Sequence, residues 1–267
     1  MKDNNSDIKR RQFLKSSAVA VSSFIVVGLG ANQMRKALKA GPDNIHLLRP
    51  PSAVDEDTFI AGCIKCGLCV QICPINAVKL AGIEEGLAYG TPYIDVREQA
   101  CDFSCDPMQC VETCPTAVLD FQVLKRAGED AYAELEKTGK LNDPNFNPFK
   151  VQIAAMKESV HMGFAKLNEK TCLGIQGKPF KGIPRGEDFR GVNRTPDGKA
   201  QRATPLADKH FDVPVCNLCV TECPIGEKAI VFENNKPVVK DGCTGCGVCV
   251  MVCPTETPSI IVEPVNA

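Results

Sequence analysis

The hydrophobic pattern of the chain changes character several times along its length. An uncharged, mostly apolar run over 16–30 follows Lys9-Arg10-Arg11-Gln12-Phe13-Leu14-Lys15. At about fifteen residues it is shorter than the roughly 20 needed to cross a bilayer as a helix, so it suits the apolar region of an export signal. Residues 31–58 are polar and rich in Gly and Pro, which reads as a linker. Farther on, short β-prone runs occur at 93–96, 117–123, 229–232, 237–239 and 259–262. The run 229–240 predicts a hairpin turning at Asn234 and Asn235, a residue type that tolerates left-handed backbone angles.

Between 121 and 171 the pattern turns helical and predicts a connector. Residues 131–137 and 151–167 read as helices separated by the Asn- and Pro-rich stretch 142–148. Ile153, Met156, Val160, Phe164 and Leu167 recur at three- to four-residue spacing and are expected to pack into a core. His161 and Met162 fall inside the second predicted helix. The segment 173–215 is rich in Gly, Pro and basic residues and reads as a surface excursion.

Overall charge narrows the field of functions. A formal net charge of −1 with a pI near 6.3 implies no general attraction to nucleic acid. The unusual feature is cysteine: sixteen of them, against three histidines and no tryptophan. They occur in groups. The first is Cys63-x2-Cys66-x2-Cys69-x3-Cys73-Pro74, and the fourth is Cys243-x2-Cys246-x2-Cys249-x3-Cys253-Pro254. Both match the bacterial ferredoxin run, in which three thiolates wrap one face of a cubane and the last cysteine ligates a second cluster. Gly67 and Gly247 let the backbone turn tightly beside the sulfurs. The second group, Cys101-x3-Cys105-x4-Cys110-x3-Cys114-Pro115, keeps the same ending with looser gaps. The third, Cys216-x2-Cys219-x3-Cys223-Pro224, holds three cysteines, and Cys172 completes it. Sixteen cysteines then divide into four quartets, one for each of four 4Fe-4S clusters. A three-iron cluster or a non-cysteine ligand in the third group is the alternative.

Other cysteine chemistry fits less well. Zinc sites seldom crowd three donors into one loop. Disulfides need Cα atoms about 5.5 Å apart, and a dense Cys-x2-Cys string has few unstrained pairings. A thioredoxin-like Cys-x2-Cys occurs once, near a βαβ pattern. His161 and Met162 are not expected to be ligands, because sulfur already fills the quartets. Lys65, between two ligands, is a candidate tuner of cluster potential, with a solvated lysine as the plain reading. Lys178, Lys181, Arg185, Arg190, Arg194 and Arg202 of the excursion form either a solvated loop or a dock for an acidic redox partner.

Two resemblances extend this reading. Arg10-Arg11 ahead of the apolar run resembles a twin-arginine export signal, with a retained N-terminal anchor as the alternative for 1–30. Such export carries folded proteins with cofactors already inserted, which reconciles many free cysteines with an oxidising compartment. The body resembles the NapG/MauM ferredoxin-type proteins through Cys63-Ile-Lys-Cys-Gly-Leu-Cys-Val-Gln-Ile-Cys-Pro74, Gly90-Thr-Pro-Tyr93, His161-Met-Gly-Phe-Ala165, Cys172-Leu-Gly-Ile-Gln-Gly177 and Cys243-Thr-Gly-Cys-Gly247. The resemblance implies a periplasmic protein, membrane-associated through a partner. It would relay electrons from a NapH-type membrane iron-sulfur quinol dehydrogenase to a periplasmic cytochrome or terminal reductase, of nitrate or nitrous-oxide type.

The expected fold is α+β, with two ferredoxin-like two-cluster modules across 59–267, interleaved by crossed ligation and carrying short hairpins, helices and long surface loops. By analogy with four-cluster iron-sulfur subunits, groups one and four would share two clusters and groups two and three the others. A permanently bound iron-sulfur subunit of a molybdenum oxidoreductase or hydrogenase is the alternative function. No phosphate loop, nucleophile elbow or carboxylate pair suggests an independent enzyme.

Overall fold

The computed structural model describes residues 47–142, 146–186, 206 and 209–265. The apolar run 16–30 and the basic residues Arg190, Arg194 and Arg202 lie outside them. Residues 47–58, expected to be linker, are instead built into the body. Leu47, Leu48 and Arg49 are buried, and the Leu48 carbonyl accepts from Ile94 N–H at 2.8 Å. Ala53 bridges Leu119, and Val54 N–H donates to Val118 O at 3.0 Å. Asp55 then caps the first helix, α1 (Glu56–Gly62), by accepting from Thr58 N–H.

Described strands form four two-stranded antiparallel pairs. β1 (Val78–Leu80) pairs β2 (Pro92–Ile94), and β3 (Gly163–Leu167) pairs β8 (Ile260–Pro264). β4 (Phe180–Gly182) pairs β5 (Phe211–Val213), while β6 (Ile230–Glu233) pairs β7 (Lys236–Val239). The last pair is the expected hairpin: Glu233 faces Lys236, and Asn234 and Asn235 both take positive φ, 49° and 60°. Two consecutive left-handed residues match the right-handed twist of the flanking strands.

The connector departs from expectation at both ends. Residues 117–123 do not form a strand. Ala117 turns at φ 56° and Asp120 caps α4 (Phe121–Lys137), its carboxylate accepting from Gln122 N–H at 2.8 Å. That helix buries Leu124, Gly128 and Leu135 toward α5 (Pro148–Glu158), which starts with Asn147 as cap and Pro148 in its first turn.

The second helix was expected to run to 167, but it stops at Glu158. Ser159 Oγ donates to Met156 O at 2.9 Å, and Met162 N–H is taken by Thr244 O at 2.9 Å. Beyond that point burial alternates at a period of two: Gly163 and Ala165 face inward, Phe164 and Lys166 outward. The three- to four-residue spacing that linked Phe164 and Leu167 to the helix was coincidental. His161 and Met162 therefore lie between α5 and β3, His161 exposed and Met162 buried in the core.

One apolar core runs through the body, with Phe59, Phe103, Met108 and Leu124 from the earlier half packed with Leu218, Val248 and Met251 from the later half. Full burial of each such side chain is worth about 1.5–3 kcal/mol. The helix α5 is strapped across both halves by ion pairs, Lys157 to Asp106 at 2.8 Å and Glu158 to Lys228 at 2.7 Å. Among the described residues, no helix is long and apolar enough to cross a membrane.

Candidate metal centres

The first and fourth cysteine groups fold as two copies of one local structure. Cys63 closes α1, its N–H donating to Phe59 O at 2.9 Å, and the chain then reverses through Lys65 at φ 57° and Gly67 at φ 73°. Gly67 opens the short helix α2 (Leu68–Ile72), which carries Cys69 inward, and Cys73 ends it in extended backbone. In the fourth group Gly245 at φ 70° and Gly247 at φ 83° make the same reversal, and α7 (Val248–Met251) carries Cys249. In each run two left-handed residues alternate with ligands, and the first three cysteines line one cavity. Lys65 is exposed, with its Nζ 5.6 Å from the Tyr89 ring centroid.

Groups two and three use similar single-turn helices, α3 (Gln109–Glu112) and α6 (Leu218–Thr221), bearing Cys110 and Cys219. Cys172 lies far from its group in sequence but is brought to it by the fold. The β4–β5 pair draws the two ends of the excursion together, Cys216 N–H donates to Lys178 O at 2.9 Å, and Gly174 lies against the Cys216 carbonyl. Within the excursion Lys181 pairs with Asp212 at 2.7 Å, so its charge is partly neutralised at home.

Cavities assign most of the sulfurs. One is lined by Cys63, Cys66, Cys69 and Cys114, with apolar walls from Leu68, Leu80 and Val118. A second is lined by Cys172, Cys216, Cys219 and Cys253, with Leu173, Leu218 and Ile260. A third gathers Cys223, Cys243, Cys246 and Cys249, and Cys219 lines it as well as the second. Cys73, Cys101, Cys105 and Cys110 remain, and they too sense one another. Burial first, then the charges of Cys105 and Cys73, push the Cys110 thiol up, and burial followed by Cys110 does the same to Cys101.

This arrangement corrects the expected sharing. Cys114 of group two joins group one, and Cys253 of group four joins group three, so neighbouring groups pair rather than one with four and two with three. The physical reason is chain proximity: α2 packs on α3 and α6 on α7, as consecutive elements generally do.

The donor sets suit a cluster. All sixteen cysteines are free of disulfides. Burial, reinforced by Cys63 and Cys66, pushes the Cys69 thiol up to about 11, and burial with Cys253 and Cys172 takes Cys216 to about 11. Burial raises Cys246 to about 12. Four thiolates coexist in such a pocket only around compensating positive charge, which a bound iron-sulfur core supplies. The sulfurs ring apolar cavities, an arrangement that suits a polyatomic centre.

Backbone dipoles are aimed at several ligands. Ala77 N–H donates to Cys73 Sγ and Ser259 N–H to Cys253 Sγ, each at 3.3 Å. At Cys114, burial raises the thiol, but the Leu119 N–H, the Thr116 hydroxyl and the N–H groups of Thr116 and Val118 outweigh it and lower it overall.

Sequence reasoning missed Arg97 altogether. From the loop after β2 it reaches into the later half and donates to four backbone carbonyls: Val250 at 2.9 Å, Cys253 at 2.8 Å, Thr255 at 2.8 Å and Glu256 at 3.3 Å. Nothing in the local stretch Asp95-Val-Arg-Glu98 signals this.

Comparison with known proteins agrees with the site. The 4Fe-4S dicluster domain family matches residues 62–118, and the 4Fe-4S binding domain family matches 236–259. The chain is 27% identical to the ferredoxin-type protein NapG of Escherichia coli over 96% of its own length and 86% of that protein. It is 27% identical to the methylamine utilization ferredoxin-type protein MauM of Methylorubrum extorquens, covering 96% and 89% of the two chains. MauM of Paracoccus denitrificans is 26% identical over 96% of this chain and 88% of its own. No solved structure gives a significant match. The NapG/MauM resemblance read from the sequence motifs therefore holds along most of the chain.

Proposed function

Starting from an iron-sulfur chain of the ferredoxin type, homologous along most of its length to NapG and MauM, we propose that it carries four 4Fe-4S clusters in two modules and passes electrons through them in line. Cluster I is held by Cys63, Cys66, Cys69 and Cys114, and cluster II by Cys73, Cys101, Cys105 and Cys110. Cluster III is held by Cys223, Cys243, Cys246 and Cys249, and cluster IV by Cys172, Cys216, Cys219 and Cys253. The cavity that joins Cys114 to Cys63, Cys66 and Cys69 is the observation that carries this reading. A fourth ligand delivered from a neighbouring motif is the ferredoxin manner of linking two clusters.

The order of transfer follows from the shared groups. Clusters I and II interlock through groups one and two, and III and IV through groups three and four. The two modules meet at ligands: Cys101 N–H donates to Cys246 O at 3.3 Å, which supports a crossing from II to III. The bound clusters supply one-electron chemistry, and the chain positions them, excludes water and sets their potentials.

The Cys66 end is the better candidate for exchange with a partner. Cys66 is exposed, and around it the surface presents Ile64, Leu68 and Leu80, with Ile83 at 84% exposure and Leu87 at 73% farther along. Exposed apolar patches of this kind commonly mark protein interaction sites.

In this reading the chain is exported by the twin-arginine route and works in the periplasm. It takes electrons from a NapH-type membrane quinol dehydrogenase and passes them to a cytochrome or to a nitrate- or nitrous-oxide-type reductase. The experiment is anaerobic purification from native membranes, followed by addition of quinol. Cluster bleaching that requires the membrane partner, and a chain that dissociates from its acceptor, fit the relay. A stable one-to-one complex with a molybdopterin or nickel-iron subunit would replace it with the permanent-subunit reading.

A further inference from the structure

Arg97 spans the two modules with four hydrogen bonds, and its targets are not random. Val250 O and Cys253 O belong to the turn that closes α7, and Thr255 O and Glu256 O to the loop that follows. Val250 O also accepts from Cys253 N–H at 3.3 Å, but carbonyls beyond a helix C-terminus lack intrahelical donors, so the guanidinium satisfies oxygens that would otherwise need water.

The loop held in this way presents donors to one ligand sulfur. Thr255 Oγ1 lies 3.1 Å from Cys253 Sγ, and Ser259 N–H donates to the same sulfur at 3.3 Å. Thr255 Oγ1 also accepts from Ser259 N–H at 3.1 Å and lies 3.2 Å from Ser259 Oγ. By gripping the carbonyls of Cys253, Thr255 and Glu256, Arg97 fixes the backbone that aims these donors.

We infer that Arg97, a residue of the first module, is a positioning residue that raises the reduction potential of the cluster held through Cys253 in the second. Reduction adds one negative charge to a cluster. Hydrogen bonds to its sulfurs and a nearby fixed cation stabilise that charge, which moves the potential upward. Arg97 supplies the cation and holds the hydrogen bonds. Five fixed donors on a planar fork suit four converging carbonyls in a way a lysine ammonium cannot copy.

The inference rests on the four-cluster reading, and its test separates the two. Holo protein carrying Arg97→Met, with Arg97→Lys beside it, is titrated potentiometrically with EPR detection, and iron is counted on each sample. The expected result has one midpoint potential moving to a more negative value in Arg97→Met while the other three hold, with iron content unchanged. Arg97→Lys, which keeps the charge, recovers part of the shift. Unchanged potentials in a fully loaded Arg97→Met protein would overturn the inference and leave four clusters standing. Equal shifts in all four, or a Lys variant no different from Met, would equally overturn it. A wild-type chain with no cluster at Cys253 would overturn the reading beneath and the inference with it.

Discussion

Gly174 lies so close to the carbonyl oxygen of Cys216 that no Cβ fits between them, and the Phe232 ring stands 3.3 Å from where that carbon would be. This contact seats Cys172 beside the group it serves across more than forty intervening residues. Replacing Gly174 with Ala forces Cys172 and Cys216 apart. Cluster IV should be lost, and iron should fall from about sixteen to about twelve per chain, three clusters of four irons remaining. Full iron content with unaltered EPR spectra would contradict this placement.

Crossed ligation makes a prediction that contiguous motifs do not. Cys66→Ala and Cys114→Ala should each remove the same EPR signal, and the double variant should be no worse than either single. Cys73→Ala and Cys110→Ala should together mark a different signal. If loss of Cys114 instead damages the signal that depends on Cys110, the second group ligates as its own quartet.

Arg49 ties the start of the body to β2. It is 2% exposed, pairs with Glu56, donates to Thr91 Oγ1 at 2.9 Å and Pro92 O at 2.8 Å, and stacks 4.7 Å from the Phe59 ring centroid. Arg49→Met would strand those acceptors at a cost of about 2 kcal/mol, below the figure for a fully buried pair because Glu56 is part exposed. The measurement is the temperature at which iron-sulfur absorbance bleaches, which should drop by several degrees with the spectrum at rest unchanged.

The apolar end near Cys66 can be tested without touching a ligand. Ile83→Asn with Leu87→Asn replaces two highly exposed side chains, so stability and iron content should stay within error. Reduction of the clusters by quinol in native membranes should slow by tenfold or more. Lys181→Gln should change that rate less than twofold, because Lys181 already pairs with Asp212 in an exposed pair that solvent screens.

Much of the candidate site was legible in the sequence because cubane ligation writes itself into spacing. The glycine-assisted reversals at Gly67 and Gly247 and the Asn234–Asn235 turn depend on local backbone chemistry that residue types reveal, and Cys172 was recruited by counting four sulfurs to a cluster. Other features depend on which surfaces meet. The pairing of Cys114 with group one follows from α2 packing on α3, and the analogy that paired one with four ignored chain proximity. Phe164 and Leu167 continue the helical spacing of the preceding helix, yet pairing with β8 makes the segment a strand and turns Phe164 outward. Arg97 acts on carbonyls more than 150 residues away, a relationship with no local sequence signature.

The count of clusters tests the central claim most directly. Iron and acid-labile sulfide should be measured on protein purified anaerobically, alongside EPR of the dithionite-reduced state. Four cubanes predict about sixteen irons and sixteen sulfides per chain, with spectra broadened by spin coupling between neighbouring clusters. About eight irons, or zinc in their place, would contradict it.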